Sequence, residues 1–217
     1  LNTIFLVILQ ELNLPMLTSI LKSISYLFHP LLMPWMGAVY YFSVTPEYYS
    51  PLKISYWLIS IIILSVLLPL VLYFILNKLN QAQTIHLKTS KERIWPLLLN
   101  SMIIGYLCVG VFPEPLCKEL HYYFLGIVIT ILVGLVLAIL KFKSSIHMMS
   151  ASGTFFFIVL LNLHYSYSFI SAFVVFIIMM GAMASSRLHL KAHTVRELVV
   201  GLIIGVTPQL FLLKNWL

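Results

Sequence analysis

The chain has 217 residues, 61% of them hydrophobic and only 9% charged, with a net charge of +7 and a mean hydropathy of +1.03. Soluble domains carry about a quarter charged residues, so this composition excludes a soluble globular protein and leaves an integral membrane one. All six acidic residues are Glu, which argues against a carboxylate-built magnesium or di-metal centre, since those hard cations need several oxygen ligands. The two cysteines, Cys108 and Cys117, cannot alone make a zinc site, and no disulfide is expected of them.

In chain order, the apolar start LNTIFLVILQ lacks a basic n-region and a small-residue cleavage site, so it does not read as a signal peptide. Met16 to Phe28 places Leu17, Ile20, Leu21, Ile24 and Leu27 at helical spacing with Ser and Lys between them, the pattern of a helix lying in the membrane interface. Pro30 and Pro34 then lead into a short first span ending near Val44. Further spans are expected at about 54–76, with Pro69 as a kink, then at 95–112, 121–140, 148–163, 169–184 and 195–213. Each is close to the roughly 20 residues needed to cross the hydrocarbon core. The expected fold is therefore an all-α bundle of about six to seven transmembrane helices plus an N-terminal interfacial helix, forming one membrane-embedded unit over 1–217.

Each span switches sides, so the connections at 78–94, 141–147 and 185–194 open on one face. They carry Lys88, Lys91, Arg93, Lys143, Arg187 and Lys191 together with His147 and His193. Lys and Arg at span ends often do no more than snorkel to headgroups. Histidines set beside cations and serines add a second reading, an anion pocket suited to phosphate, which arginine grips with forked hydrogen bonds. The remaining histidines, His29, His86, His121, His164 and His189, read as interfacial or solvated. No nucleic-acid partner is expected; the natural partner is an anionic membrane lipid.

The run Ser186-Arg187, five residues, His193, three residues, Glu197 resembles the third signature of the type 2 phosphatidic acid phosphatase superfamily, which includes the vanadium haloperoxidases. The family has Asp where this chain has Glu197. Ser144-Ser145-Ile146-His147 matches the second signature, Pro-Ser-Gly-His, in its Ser and His. The first, Lys-x6-Arg-Pro, is the most altered, with His86 in the Lys position, Arg93 matched and Ile94 in the Pro position. Order and spacing agree over about 78–200.

The resemblance implies a metal-independent lipid phosphatase without a cofactor. His193 would attack phosphorus to form a phosphohistidine. Glu197 would orient the ring, and His147 would protonate the leaving oxygen and then activate water. Arg187, Arg93, Ser145, Lys143 and Lys88 or Lys91 would cradle the phosphoryl oxygens. Phosphatidate, phosphatidylglycerol phosphate, a polyprenyl pyrophosphate or a lipid A phosphate would all suit such a pocket.

Three alternatives stand beside this reading. Thr194 to Glu197 is also a capping box, so Glu197 has a purely structural use. The altered signatures equally suit a catalytically inactive relative that binds anionic lipid or scaffolds membrane proteins. His147 and His193 as axial haem ligands form a third option. Orientation is contested too: nine of the 13 basic residues lie on the motif face, which by the positive-inside rule places it in the cytoplasm. The resemblance instead implies a bacterial inner-membrane protein with an extracytoplasmic site.

Overall fold

The computed structural model describes residues 16–45, 48–79, 89–114 and 116–216. Residues 1–15, most of the 78–94 connection and the site candidate Lys88 therefore lie outside the described residues. Every regular element among those described is helical. In chain order they are α1 over 16–27, α2 Met33–Val44, α3 Pro51–Lys78, α4 Lys91–Val111, α5 Lys118–Ile139, α6 Ile146–His164, α7 Phe169–His189 and α8 Val195–Asn215. The last six are long and apolar enough to cross a membrane, making this an all-α multi-pass membrane bundle.

The short first span resolves differently from the full-length ones. Pro30 disfavours helical backbone at His29, so α1 stops there, and α2 restarts with Pro34 in its first turn, where a missing N–H costs nothing. At 12 residues, α2 is too short to span alone. Together with the turn that precedes it, α2 nevertheless reaches both ends of the bundle, with His29 of that turn against His147 at one and Tyr41 bonded to Glu119 at the other. In α3, a wide π-type turn over Ile63–Leu67 precedes Pro69, which is how the helix absorbs the proline expected to kink it.

The bundle is built around α6. It is the most buried of the six long helices, whereas α3 is largely peripheral, and α8, α7, α2 and α5 pack around it. The α6–α8 crossing is closest where side chains are smallest. A Cβ on Gly205 would fall 2.2 Å from the Met149 carbonyl oxygen and 2.9 Å from Gly153 N, and one on Gly201 would fall 2.9 Å from the Ser145 carbonyl oxygen. Gly201 and Gly205 are four apart, so both lie on one face of α8, and backbone can meet backbone there. Ser152 extends the contact by donating to the Leu202 carbonyl at 3.2 Å.

This crossing positions the polar end of the molecule. With α6 and α8 held backbone to backbone, their N-termini lie side by side, and the Ser145 N–H donates to the Glu197 carbonyl at 3.2 Å. The residues that start α6 and those that start α8 are therefore fixed relative to each other.

Candidate active site

His193 is the last residue but one before α8, and Thr194 is the cap of that helix. Thr194 Oγ1 accepts the Glu197 N–H at 3.4 Å, and Glu197 Oε2 accepts the Thr194 N–H at 3.3 Å. The same oxygen lies 2.7 Å from His193 Nδ1. The two uses of Glu197 weighed from sequence thus coexist: one carboxylate oxygen closes the capping box and orients the imidazole. Because Glu197 Oε2 accepts from Nδ1–H, the His193 tautomer carries its lone pair on Nε2.

Burial and electrostatics keep that lone pair available. The His193 side chain is 3% exposed. Burial is the main force that depresses its pKa, from 6.5 to about 4; the Glu197 bond opposes this, and Arg93, Lys143 and Arg187 reinforce it. The ring is neutral near pH 7. A cleft of about 430 Å³ lies over it, lined by Lys143, Leu188, Lys191, Ala192, Thr194 and Glu197.

The three connections do meet. Lys143 Nζ donates to the Ala192 carbonyl at 3.1 Å, joining the α5–α6 turn to the α7–α8 turn. Burial lowers the Lys143 ammonium pKa, and Arg93 adds to this against the pull of Glu197. Arg93, buried at the start of α4, donates through one terminal nitrogen to the Ser144 carbonyl. His147 lies on the first turn of α6, within electrostatic reach of Arg187, His29, His193 and Arg93. Lys91 is the exposed first residue of α4.

Arg187 and Ser186 lie on the last turn of α7, which continues to His189 rather than ending near Ala184. One terminal nitrogen of Arg187 donates to Ser25 Oγ at 3.3 Å, while its Nε is buried with no hydrogen-bond partner among the described residues. A buried guanidinium N–H with nothing to donate to is costly unless something else occupies the site.

Both signature serines have structural bonds. Ser145 is fully buried and caps α6, accepting the Met148 N–H at 3.4 Å. Ser186 is fully buried and donates to the Leu21 carbonyl at 2.6 Å.

Sequence reasoning missed two neighbours. His29 stands edge-to-face on His147, ring centroids 5.4 Å apart, and Ser25 carries Arg187. Both come from the N-terminal arm, more than a hundred residues from the side chains they meet, and no local spacing could have linked them. Of the other histidines, His189 bonds Thr18 at 2.9 Å, while His121 and His164 belong to other clusters. Among the described residues no three His, Cys, Asp or Glu side chains gather as metal ligands, and both cysteines are free and buried.

Fold and site together define a multi-pass α-helical membrane protein with a cation- and histidine-lined pocket at one end. No protein-family model, curated protein or solved structure matches the chain, so its chemistry rests on these residues.

Proposed function

We propose that the protein is a membrane lipid phosphatase that hydrolyses a lipid phosphomonoester or pyrophosphate through a phosphohistidine, with no metal in the reaction. The observation that carries this reading is the His193–Glu197 pair at 2.7 Å set among Arg93, Arg187 and Lys143. An oriented, neutral imidazole surrounded by cations is a nucleophile prepared for an anionic electrophile.

In the proposed cycle His193 Nε2 attacks phosphorus as the bond to the lipid oxygen breaks, and that oxygen takes a proton from His147. Water then attacks the phosphohistidine, His147 recovers a proton from it, the P–N bond breaks and inorganic phosphate leaves. Arg187, Arg93 and Lys143 neutralise the charge on the transferring group. The acyl or prenyl tail stays in the bilayer while the head enters the cleft.

A second reading draws support from the serines: with Ser145 committed to a helix cap and Ser186 to α1, the pocket also suits a protein that binds anionic lipid without turnover. Phosphate release from a panel of lipid phosphates in EDTA separates the two. The phosphatase reading expects turnover by wild type, none by His193→Ala, and an acid-labile phosphoenzyme trapped only in wild type. No turnover by either protein, with lipid bound and no phosphoenzyme, replaces it with the binding reading, and equal activity in both removes His193 as the nucleophile and overturns the phosphohistidine cycle. Accessibility of a Cys introduced at Ser90 to an impermeant thiol reagent in intact cells tests the extracytoplasmic orientation.

A further inference from the structure

The N-terminal arm belongs to none of the three signatures, yet it touches two of the side chains on which the phosphatase reading depends. Thr18, Leu21 and Ser25 lie on one face of α1 at helical spacing, and that face is seated on the last turn of α7. Thr18 Oγ1 meets His189 Nε2 at 2.9 Å, the Leu21 carbonyl accepts from Ser186 at 2.6 Å, and Ser25 Oγ lies 2.7 Å from Ser186 Oγ.

Proton bookkeeping gives these bonds a direction. Ser186 has one hydroxyl proton and donates it to Leu21. The Ser25–Ser186 bond must then use the Ser25 proton, which leaves a Ser25 lone pair for the Arg187 N–H at 3.3 Å. With that terminal nitrogen anchored, the guanidinium plane is set, and the buried Nε, which has no partner among the described residues, belongs to the side-on fork that grips an oxyanion. At the exit of α1, the Leu31 N–H donates to His29 Nδ1 at 3.3 Å. This holds the ring that stands edge-to-face on His147, at 5.4 Å and 84°.

We propose that this corner, residues 18–31, is a fourth wall of the pocket, in which Ser25 positions Arg187 and His29 positions His147 for a bound phosphoryl group. The proposal rests on the phosphoryl-pocket reading of the site. Ser25 and His29 are positioning residues: each acts through the side chain it holds.

The test compares wild type with Ser25→Ala, Ser25→Thr, His29→Ala and His29→Phe, purified in detergent and checked by thermal melting. The readouts are phosphate release and inhibition by orthovanadate, a phosphate mimic. Ser25→Ala is expected to weaken vanadate inhibition and lower kcat/KM by roughly three- to tenfold, the worth of one hydrogen bond, with Ser25→Thr restoring both. On an Arg187→Ala background Ser25→Ala should add nothing. His29→Ala should lower kcat with KM unchanged, and His29→Phe, which keeps an edge-to-face ring, should recover most of it. If Ser25→Ala does not fold, Ser25→Cys keeps the shape with a poorer hydrogen-bonding group and carries the same expectation. Active wild type with folded variants that match it in turnover and vanadate inhibition overturns the fourth wall alone, as does an additive Ser25→Ala/Arg187→Ala pair. Wild type that neither releases phosphate nor responds to vanadate overturns the phosphatase reading, and the fourth wall with it.

Discussion

The two ends of the bundle treat charge in opposite ways. At the end away from the candidate site, Glu119 lies in the first turn of α5. Its oxygens accept phenol hydrogens from Tyr165 at 2.8 Å and Tyr41 at 3.2 Å, with His164 at 3.8 Å. Tyr49 extends the cluster to Tyr41 and to Cys117. One carboxylate is met by phenol donors from α2 and from the α6–α7 turn, and α2, α5 and α6 are stapled together. At the other end Arg93, Lys143 and Arg187 surround His193, whose carboxylate partner is Glu197, and Arg187 Nε has no partner among the described residues. A satisfied cluster has a sufficient account in stability. An excess of partly buried cations with an unused donor is costly for stability, so it points to an anion that completes it.

The widest expected split follows from this contrast. His193→Ala should remove phosphate release by a thousandfold or more, since loss of a nucleophile leaves only binding and electrostatic catalysis, on the order of 10³–10⁶ in kcat. Glu119→Gln should leave turnover within about twofold and lower the melting temperature, at a cost of roughly 1–3 kcal/mol for the disturbed phenol bonds. Equal loss of turnover in the two variants would erase the distinction between a chemical end and a structural one.

Next in size are the groups around the nucleophile. Arg187→Ala should lower kcat/KM by about 10²–10³, the loss typical for one stabiliser of a developing oxyanion. Glu197→Gln keeps an oxygen for the Thr194 N–H but loses the charge that fixes the His193 tautomer. It should therefore cost about a hundredfold or more in turnover and under about 1 kcal/mol in stability. If Glu197→Gln melts early yet turns over normally, Glu197 is only a cap.

The smallest effect is on stability against pH. His193 is depressed from 6.5 to about 4 by burial and neighbouring cations, so the folded state binds fewer protons than the unfolded state between those values. The stability that this contributes is fully present above about pH 6.5 and is lost as pH falls through about 4. Wild type should thus melt progressively lower over that window, and His193→Ala should show a shallower fall in the same detergent. Parallel curves would mean that the ring is not held neutral by its surroundings.

Legibility in the sequence followed the range of the interaction concerned. The spans expected at 148–163 and 195–213 became Ile146–His164 and Val195–Asn215, because apolar length is a local property. The α7 boundary was misjudged: the apolar pattern stops near Ala184, but the helix runs to His189, since polar residues continue a helix readily once it leaves the hydrocarbon. Glu197 was recognised in both of its uses because cap and ring lie within one turn of it. The glycine pair Gly201 and Gly205, readable as a close-approach face, would have placed α8 against α6 in advance.

Local composition and spacing were enough to determine a helical membrane protein, most of its spans, the connections that share one face, and the His193–Glu197 pair, because each depends on residues within a few turns of one another. Only tertiary structure decided that Ser145 and Ser186 are buried in structural bonds, that Arg187 is held by Ser25, and that His29 stands on His147. The Ser186–Leu21, Arg187–Ser25 and His147–His29 contacts join segments more than a hundred residues apart, and Ser145 is sealed in at a crossing of α6 and α8 whose closeness is set by the absence of side chains on Gly201 and Gly205.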